Sequence, residues 1–256
     1  MTLLNKRLDD SILSTIDYNK ASEVYDIVRN GDPEMIAQII SGMSLTKNSV
    51  VLDVGCGTAN NTLLFSLATQ SHVVGLDLSR GMLGVACTKS PGIDFIQSPA
   101  ERLPFHNESF DYTFMTEVLH HLKDVKSSLS EIYRILKPDG SFCVTTQSHE
   151  QIAQRATSMF FPSTIAIDQK RYPSIEAIKK ILVTVGFTRA EAKTHLFKPQ
   201  RLGEDYLLTI EKKGFSMLHK IDEEEYQSGL EKLRKQFSTG DYIDYSAGYT
   251  FVWGHK

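Results

Sequence analysis

The stretch Val50–Asn61, with the sequence V-V-L-D-V-G-C-G-T-A-N-N, decides how this chain folds. An apolar run is followed by two glycines one residue apart, and a polar segment then opens a stretch with apolar residues at helical spacing. This order predicts a strand, a tight turn and the N-terminus of a helix, where α/β proteins bring backbone N–H groups against a nucleotide-like ligand. A side chain at Gly55 or Gly57 would hold such a ligand away from the backbone.

The glycine turn is compatible with two kinds of nucleotide-binding site. It is also compatible with a purely structural role, because glycine turns often follow strands that have no ligand. A dinucleotide-binding turn has a third glycine where this chain has Asn60, and it has no particular use for the acid at Asp53. The run instead resembles motif I of the class I S-adenosylmethionine (SAM)-dependent methyltransferases, V-L-D-x-G-C-G-T-G. The match is close from Val51 to Thr58 and departs at Ala59, where the family usually has glycine. We expect a slightly tighter wall of the turn there, without loss of binding.

Further segments resemble the same family. The run S-P-A-E-R-L-P-F at 98–105 resembles its D-A-E-x-L-P-F loop beside the adenine, although Pro99 stands at the usual aspartate. The run at 109–122 resembles S-F-D-x-V…V-L-H-H-L, and R-I-L-K-P-D-G at 134–140 resembles a turn that aligns the sheet. The resemblance thins after Gln147.

The resemblance implies SAM as cofactor, S-adenosylhomocysteine as product, and in-line transfer of a methyl group to a small organic acceptor. Asp77 also has a role predicted by its position, at the end of a strand about twenty residues after the turn, where a carboxylate accepts the ribose hydroxyls of a nucleoside. Both the dinucleotide-binding and the SAM-binding interpretation predict an acid at this position. The candidate cofactor-binding residues are Asp53, Gly55, Cys56, Gly57, Asp77, Leu78, Ala100, Glu101, Thr116 and Glu117.

Catalytic residues are harder to name, because in-line methyl transfer is mainly a problem of alignment. A thiolate or carbanion needs no base at transfer, while a phenol or amine can require one. His121 or His120 is then the first choice, since imidazole titrates near neutral pH. The candidate substrate-binding residues are Tyr18, Tyr25, Arg29, His149 and Tyr206.

The composition excludes several classes of protein. The chain has 256 residues and a net charge of −3, which argues against a broad nucleic-acid footprint. No apolar run approaches membrane-spanning length, and the N-terminus has no signal-peptide core. The three cysteines have no metal or disulfide spacing, so we expect buried free thiols, no metal site and a cytoplasmic location. The expected assembly is a monomer or a homodimer, without nucleic-acid or membrane partners.

The predicted fold is α/β, a Rossmann-like, seven-stranded, mostly parallel sheet with helices on both faces. The resemblance implies the strand order 3-2-1-4-5-7-6, with the seventh strand antiparallel. We expect one domain over 1–256, with an N-terminal helical lid (1–45), a SAM-binding core (46–150) and a substrate-side half (151–256) that carries a helical insertion at 200–238. Residues 1–30 and the insertion 200–238 are expected to form a lid over the substrate, and a dimer interface or plain stabilising cover is the alternative.

Helix signals add detail. Asp32-Pro33 is typical of a helix start, and Ser79, Ser174 and Asp222 are predicted N-caps. The first helix after the glycine turn is predicted to face the sheet through Leu63, Leu64, Leu67 and Ala68.

Two other functions stay open. One is a methyltransferase-like SAM-binding regulatory protein without turnover, which Ala59 and Pro99 favour and the intact glycine turn and Asp77 disfavour. The other is an RNA or protein methyltransferase, disfavoured by the net charge and by the absence of an Asn/Asp-Pro-Pro-Tyr loop.

Overall fold

The computed structural model describes residues 31–240, 242–246 and 248–256. The strands are β1 (Val50–Val54), β2 (His72–Asp77), β3 (Asp94–Gln97), β4 (Phe110–Thr116), β5 (Leu136–Thr146), β6 (Arg189–Leu196), β7 (Gln200–Leu202), β8 (Ile243–Tyr245) and β9 (Gly248–His255). The helices are α1 (Pro33–Ser41), α2 (Asn60–Thr69), α3 (Arg80–Lys89), α4 (Val125–Ile135), α5 (His149–Ala153), α6 (Ala156–Phe160), α7 (Ser163–Arg171), α8 (Ile175–Val185), α9 (Glu204–Glu211) and α10 (Glu223–Ser238). Single 3₁₀ turns cover Leu119–His121 and Ser216–His219.

The main sheet has seven strands in the order β3-β2-β1-β4-β5-β9-β6. The first five pair in parallel, whereas β9 runs antiparallel to both of its neighbours. Because β9 is the predicted seventh strand, this arrangement confirms the expected order, with β1 in the centre. A second sheet, β7 paired antiparallel with β8, was not predicted.

Both faces of the sheet are covered. On one face, apolar residues of α4 and α8, such as Ile132 and Leu182, pack with Leu52 and Val144 of the sheet. On the other face, α1 and α2 pack against alternate positions of the same strands, and Phe65 stacks on Phe114 with ring centroids 4.8 Å apart. The alternation of side chains along each strand assigns successive apolar residues to opposite faces.

The insertion has a core of its own. Buried residues of α6, α9 and α10 meet there with residues of the second sheet. Gly229 of α10 lies so close to Phe161 that an added Cβ would sit 2.4 Å from its ring. The segment 148–173, in which the sequence shows no period, forms the three short helices α5–α7.

The predicted helix starts are confirmed. Asp32, Ser79, Ser174 and Asp222 each accept a hydrogen bond from the backbone N–H three residues on. These caps satisfy donors that the first turn of a helix leaves without partners.

The predicted inner face of α2 is wrong in part. Thr62 and Phe65 are its buried residues, Leu63 and Leu64 are half-buried, and Leu67 is 70% exposed. The Thr62 hydroxyl donates to the carboxylate of Asp53 on β1, and this bond turns the Thr62 side of the helix inward. Leu67 and Ala68 then fall on the outer side, because side chains advance about 100° per residue.

Two further expectations are corrected. Cys56 and Cys143 are buried, but Cys87 is exposed, because Met82, Leu83 and Ala86 form the inner face of α3. The segment K-P-D-G does not precede β5 but lies within it, as an irregularity in the pairing with β4. In the part of the chain that the structure describes, no helix is long and apolar enough to cross a membrane.

Candidate active site

The glycine turn lies between β1 and α2 at the carboxyl end of the central strand. Gly55 has φ +80°, and a Cβ there would come within 2.3 Å of Val118. Gly57 has φ +56°, and a Cβ there would meet no atom of the described residues within 4 Å. The first glycine is therefore required by packing inside the protein, whereas the second faces open space in which a ligand has access to the backbone.

Asp77, at the end of β2, holds this turn in place. Its Oδ2 accepts the backbone N–H of Gly57 at 2.8 Å, and its Oδ1 accepts that of Ser79 at 2.8 Å. Burial raises the pKa of the Asp77 carboxyl, and the hydrogen bonds from Ser79 and Gly57 oppose the rise. The next residue, Leu78, is 63% exposed, so an apolar side chain lies beside the carboxylate at the mouth of the turn.

The alanine at position 59 affects the backbone conformation of the turn and does not narrow the turn's wall, which corrects the expectation from the sequence. It is completely buried, so its methyl group does not face the open space. Its φ of +66° lies in the left-handed region, which costs a residue with a Cβ about 1–2 kcal/mol. Burial of the Ala59 methyl group offsets this cost by about 0.8 kcal/mol. Glycine at this position is thus favoured by backbone conformation, and alanine is tolerated.

Asp53 is buried beneath the turn. Its Oδ2 accepts the Thr62 hydroxyl at 2.6 Å, while its Oδ1 has no hydrogen-bond partner among the described residues. Burial raises the pKa of Asp53 to about 7; the Thr62 hydrogen bond opposes the rise and the charge of Asp77 adds to it. A carboxyl that titrates near neutral pH at this position is poised to respond to a positively charged ligand.

Asn61 joins three elements around the turn, a role that was not predicted from the sequence. Its Oδ1 accepts the backbone N–H of Asp32 at 2.9 Å, before α1. Its Nδ2 donates to the Thr116 hydroxyl at 3.3 Å, at the end of β4. The predicted residue Thr116 is therefore held against the N-terminus of α2.

The residue after Thr116 has an unusual backbone. Glu117 has φ +55°, in the left-handed region, and its N–H donates to the carbonyl of Thr145 on β5 at 3.0 Å. Non-glycine residues adopt this conformation where the surrounding structure imposes it, and such positions cluster at functional sites. The turn after it carries His120, which is half-buried, and His121, which is exposed.

Tyr172 connects three of the predicted site residues. Its hydroxyl donates to Glu117 Oε2 at 3.0 Å, and its ring stacks on His120 with centroids 3.9 Å apart and planes at 13°. Its carbonyl oxygen lies 2.9 Å from His149 Nε2. Sequence reasoning missed Tyr172, because it lies in the aperiodic segment after the family motifs.

A buried ionic network of Arg155, Asp168 and Arg171 packs against Tyr172. Arg155 donates to Gln147 Oε1 at 2.6 Å and forms an ion pair with Asp168. Arg171 donates to the other oxygen of Asp168 at 2.7 Å and to the Ser216 hydroxyl at 3.0 Å. Both arginines therefore share one carboxylate that is only 1% exposed, a pairing that buried charges require.

The region that contains the glycine turn, Asp77 and Glu117 matches a known family. Residues 52–144 match a family model described as a methyltransferase domain. This match and the curated relatives support a class I SAM-dependent methyltransferase family. The resemblance inferred from the motifs is confirmed.

Curated relatives of the methyltransferase cover part of its length. It is 36% identical over 141 residues to demethylmenaquinone methyltransferase of Staphylococcus epidermidis, covering 52% of this chain and 58% of that protein. It is 27% identical over 196 residues to malonyl-[acyl-carrier protein] O-methyltransferase of Yersinia pestis, covering 67% of this chain and 73% of that protein. The chain thus spans less than two thirds of the length of the Staphylococcus relative.

Solved structures show the same fold. A chain from Anabaena variabilis, described as a methyltransferase from an antibiotic biosynthesis pathway, has a TM-score of 0.76 at 23% identity, over 89% of this chain and 98% of that one. Phosphoethanolamine N-methyltransferase 2 of Haemonchus contortus, solved with S-adenosyl-L-methionine, has a TM-score of 0.61 at 22% identity, over 96% of this chain and 59% of that one.

The remaining predicted residues of the methyltransferase do not all lie together. Ala100 belongs to the sheet core, and Glu101 Oε1 accepts the backbone N–H groups of Lys123 and Asp124 at 3.2 and 3.4 Å. The Cys56 thiol is buried, and burial raises its pKa well above the ordinary value, which disfavours a nucleophile. Tyr206 lies on α9.

Tyr206 has a feature that suits a binding role. Its hydroxyl is buried and has no hydrogen-bond partner in the part of the chain that the structure describes. Burial raises the pKa of this phenol, and Tyr245 adds to the rise. The other predicted substrate-binding residues, Tyr18, Tyr25 and Arg29, lie outside the described residues.

Proposed function

We propose that this methyltransferase binds SAM at the glycine turn and transfers its methyl group to a small organic acceptor, leaving S-adenosylhomocysteine. The observation that carries the proposal is the open space in front of Gly57, beside the carboxylate of Asp77. The names of the relatives, which act on demethylmenaquinone and on malonyl-[acyl-carrier protein], support a methyl acceptor outside nucleic acid.

The residues around the turn fit the chemistry of this cofactor. Gly57 leaves its backbone accessible. Asp77 has capacity to accept a ribose hydroxyl, because a carboxylate offers about four lone-pair positions, more than the backbone N–H groups of Gly57, Ser79 and Leu78 require. The exposed Leu78 offers an apolar contact for a purine ring. The partnerless oxygen of Asp53 gives the site a buried group that favours positive charge when ionised.

Bound SAM supplies an electrophilic methyl group, and the chain supplies alignment. Thr116 and Glu117 lie at the carboxyl end of β4, next to His120. For an acceptor that must lose a proton, we favour His120 over the exposed His121, because Tyr172 holds the His120 ring in one plane. His149 and Tyr206 stay predicted substrate contacts, and Tyr18, Tyr25 and Arg29 stay predictions on residues that the structure does not describe.

The division of the chain into a lid (1–45), a SAM-binding core (46–150) and a substrate-side half (151–256) also stays a prediction. One contact supports a lid near the cofactor: a Cβ at Gly31 would sit 2.6 Å from Leu64 and 2.9 Å from the carbonyl of Asn60. The chain therefore enters the described part beside the N-terminus of α2. A cytoplasmic location and a monomeric or homodimeric state are proposed on the sequence alone.

Calorimetric titration with SAM and S-adenosylhomocysteine tests the binding step. A screen of phenols, amines and thiols, with detection of S-adenosylhomocysteine, then tests turnover. We expect micromolar binding and release of S-adenosylhomocysteine with at least one acceptor class. Absence of SAM binding by the folded protein contradicts the proposal, and binding without turnover on any acceptor supports a regulatory protein instead.

A further inference from the structure

Three predicted site residues from different parts of the chain converge on one tyrosine. Glu117 accepts the Tyr172 hydroxyl, His120 stacks on the Tyr172 ring, and His149 bonds to the Tyr172 carbonyl. Tyr172 itself is only 4% exposed, so it reaches the site from inside the protein. Its position therefore sets the geometry of groups that face the site.

Glu117 needs such a support. Its φ of +55° is unfavourable for a residue with a Cβ, so neighbouring contacts must maintain the conformation. The backbone bond to Thr145 and the side-chain bond from Tyr172 are among the contacts that do so. Burial raises the pKa of the Tyr172 phenol well above its ordinary value, and the charge of Glu117 adds to the rise, so the phenol stays protonated and donates.

Tyr172 is in turn fixed by the buried ionic network. Its N–H donates to the carbonyl of Asp168 at 2.8 Å, at the end of α7. The guanidinium of Arg155 lies 5.1 Å from its ring centroid, on a ring that also stacks with His120. Because Asp168 is held between Arg155 and Arg171, the backbone that carries Tyr172 has little freedom.

We propose that Tyr172 is a positioning residue of the methyltransferase, whose hydroxyl holds the Glu117 carboxylate toward the positive charge of bound SAM. This role rests on the proposed function. It predicts that Tyr172 acts through the charge of Glu117, and that it therefore favours SAM, which carries a sulfonium, over S-adenosylhomocysteine, which carries a neutral sulfur. A tyrosine with a merely structural role would affect both ligands equally.

The test is a double-mutant cycle on ligand affinity. Calorimetry measures the dissociation constants for SAM and S-adenosylhomocysteine in the wild type, Tyr172→Phe, Glu117→Gln and the double variant. We expect Tyr172→Phe to weaken SAM about tenfold and S-adenosylhomocysteine less than about threefold, a coupling in the range of directly bonded pairs. In the Glu117→Gln background, the same substitution should change SAM affinity less than about twofold.

Tyr226→Phe is the matched control. Its hydroxyl donates to the carbonyl of Ile210 at 2.9 Å inside the insertion, so it loses a buried tyrosine hydrogen bond away from the site. It should lower the free energy of unfolding and leave the ratio of the two dissociation constants unchanged. If Tyr172→Phe does not fold, Glu117→Gln alone gives the decisive readout: selective loss of SAM supports the charge role through which Tyr172 is proposed to act, and equal loss of SAM and S-adenosylhomocysteine overturns it.

The outcomes separate the two proposals. The role of Tyr172 is overturned if Tyr172→Phe lowers the affinities for SAM and S-adenosylhomocysteine equally. It is also overturned if the substitution lowers SAM affinity as much in the Glu117→Gln background as in the wild type. Either result leaves the proposed function intact. A folded wild type that binds neither ligand overturns both, and that result is seen before any variant is made. Selective loss of SAM with coupling to Glu117 supports the role.

Discussion

The hydroxyl of Thr62 donates to the carboxylate of Asp53 across 2.6 Å, and both side chains are buried. This bond joins the central strand to the helix after the glycine turn. The second carboxylate oxygen of Asp53 has no partner in residues 31–240, 242–246 and 248–256, and its surroundings disfavour its charge. The consequences of this pair are measurable in the ligand-free protein.

Asp53 should make the protein less stable as pH rises. Its pKa is about 7 in the folded state against 3.8 ordinarily, so the folded state keeps a proton that the unfolded state loses. Its contribution is fully present below pH 3.8 and is lost progressively as pH rises toward 7. The free energy of unfolding of Asp53→Asn, measured by urea unfolding, should therefore rise by about 2 kcal/mol relative to that of the wild type between pH 5 and pH 8.

Thr62→Val serves as the control for this prediction. It removes the hydrogen bond that opposes the rise in the Asp53 pKa, so the loss of stability with pH should extend to higher pH. A wild type and an Asp53→Asn variant with parallel pH profiles would contradict the assignment.

Asp77→Ala should weaken SAM binding by about 1.5–3 kcal/mol, the range for a hydrogen bond to a charged group. Part of this loss reflects the turn itself, because Asp77 also holds Gly57. Asp94→Ala, on the adjacent strand, removes an exposed carboxylate and should leave SAM affinity unchanged. If Asp77→Ala folds and binds SAM as the wild type does, Asp77 does not belong to the site.

Gly57→Ala should separate binding from stability. An added Cβ meets no atom in the part of the chain that the structure describes, so the cost in stability is limited to about 1 kcal/mol from the positive φ. The same Cβ projects into the proposed cofactor space, and SAM affinity should fall at least about tenfold. Calorimetry together with urea unfolding measures both quantities; a variant with unchanged affinity would place the cofactor elsewhere.

Gly55→Ala should mainly destabilise the fold. The new Cβ would lie 2.3 Å from Val118 at a φ of +80°, so we expect a loss of about 2–3 kcal/mol in the free energy of unfolding. Gly84→Ala is the matched control, since Gly84 lies in α3 with nothing within 4 Å of its Cβ position. The free energy of unfolding of Gly84→Ala should rise by about 0.5–1 kcal/mol. Equal effects in the two variants would show that packing at Gly55 is unimportant.

The lid predicts a change in hydrogen exchange on binding. Amides in 12–29, outside the described residues, and in 202–213, which includes α9, should become protected when SAM and an acceptor bind. The helix α8 lies on the sheet core and serves as an internal reference whose exchange should not change. Equal protection of 12–29 and 202–213 with and without ligands would favour a dimer interface or a stabilising cover.

The sequence by itself determined the local elements and, through the family resemblance, the order of the strands. A strand leads into the glycine turn and another ends at Asp77, as predicted, and the caps at Asp32, Ser79 and Asp222 lie where they were expected. Such features depend on residues within three or four positions of one another, so a pattern along the chain records them.

The tertiary structure alone decided which residues meet at the site. Tyr172 and Glu117 are 55 positions apart, and no local pattern relates them. The burial of Thr62 in place of Leu67 depends on Asp53 on a neighbouring element. The left-handed conformations of Ala59 and Glu117 likewise arise where a strand must turn into the next element against a fixed neighbour, because packing, and not residue preference, sets the backbone there.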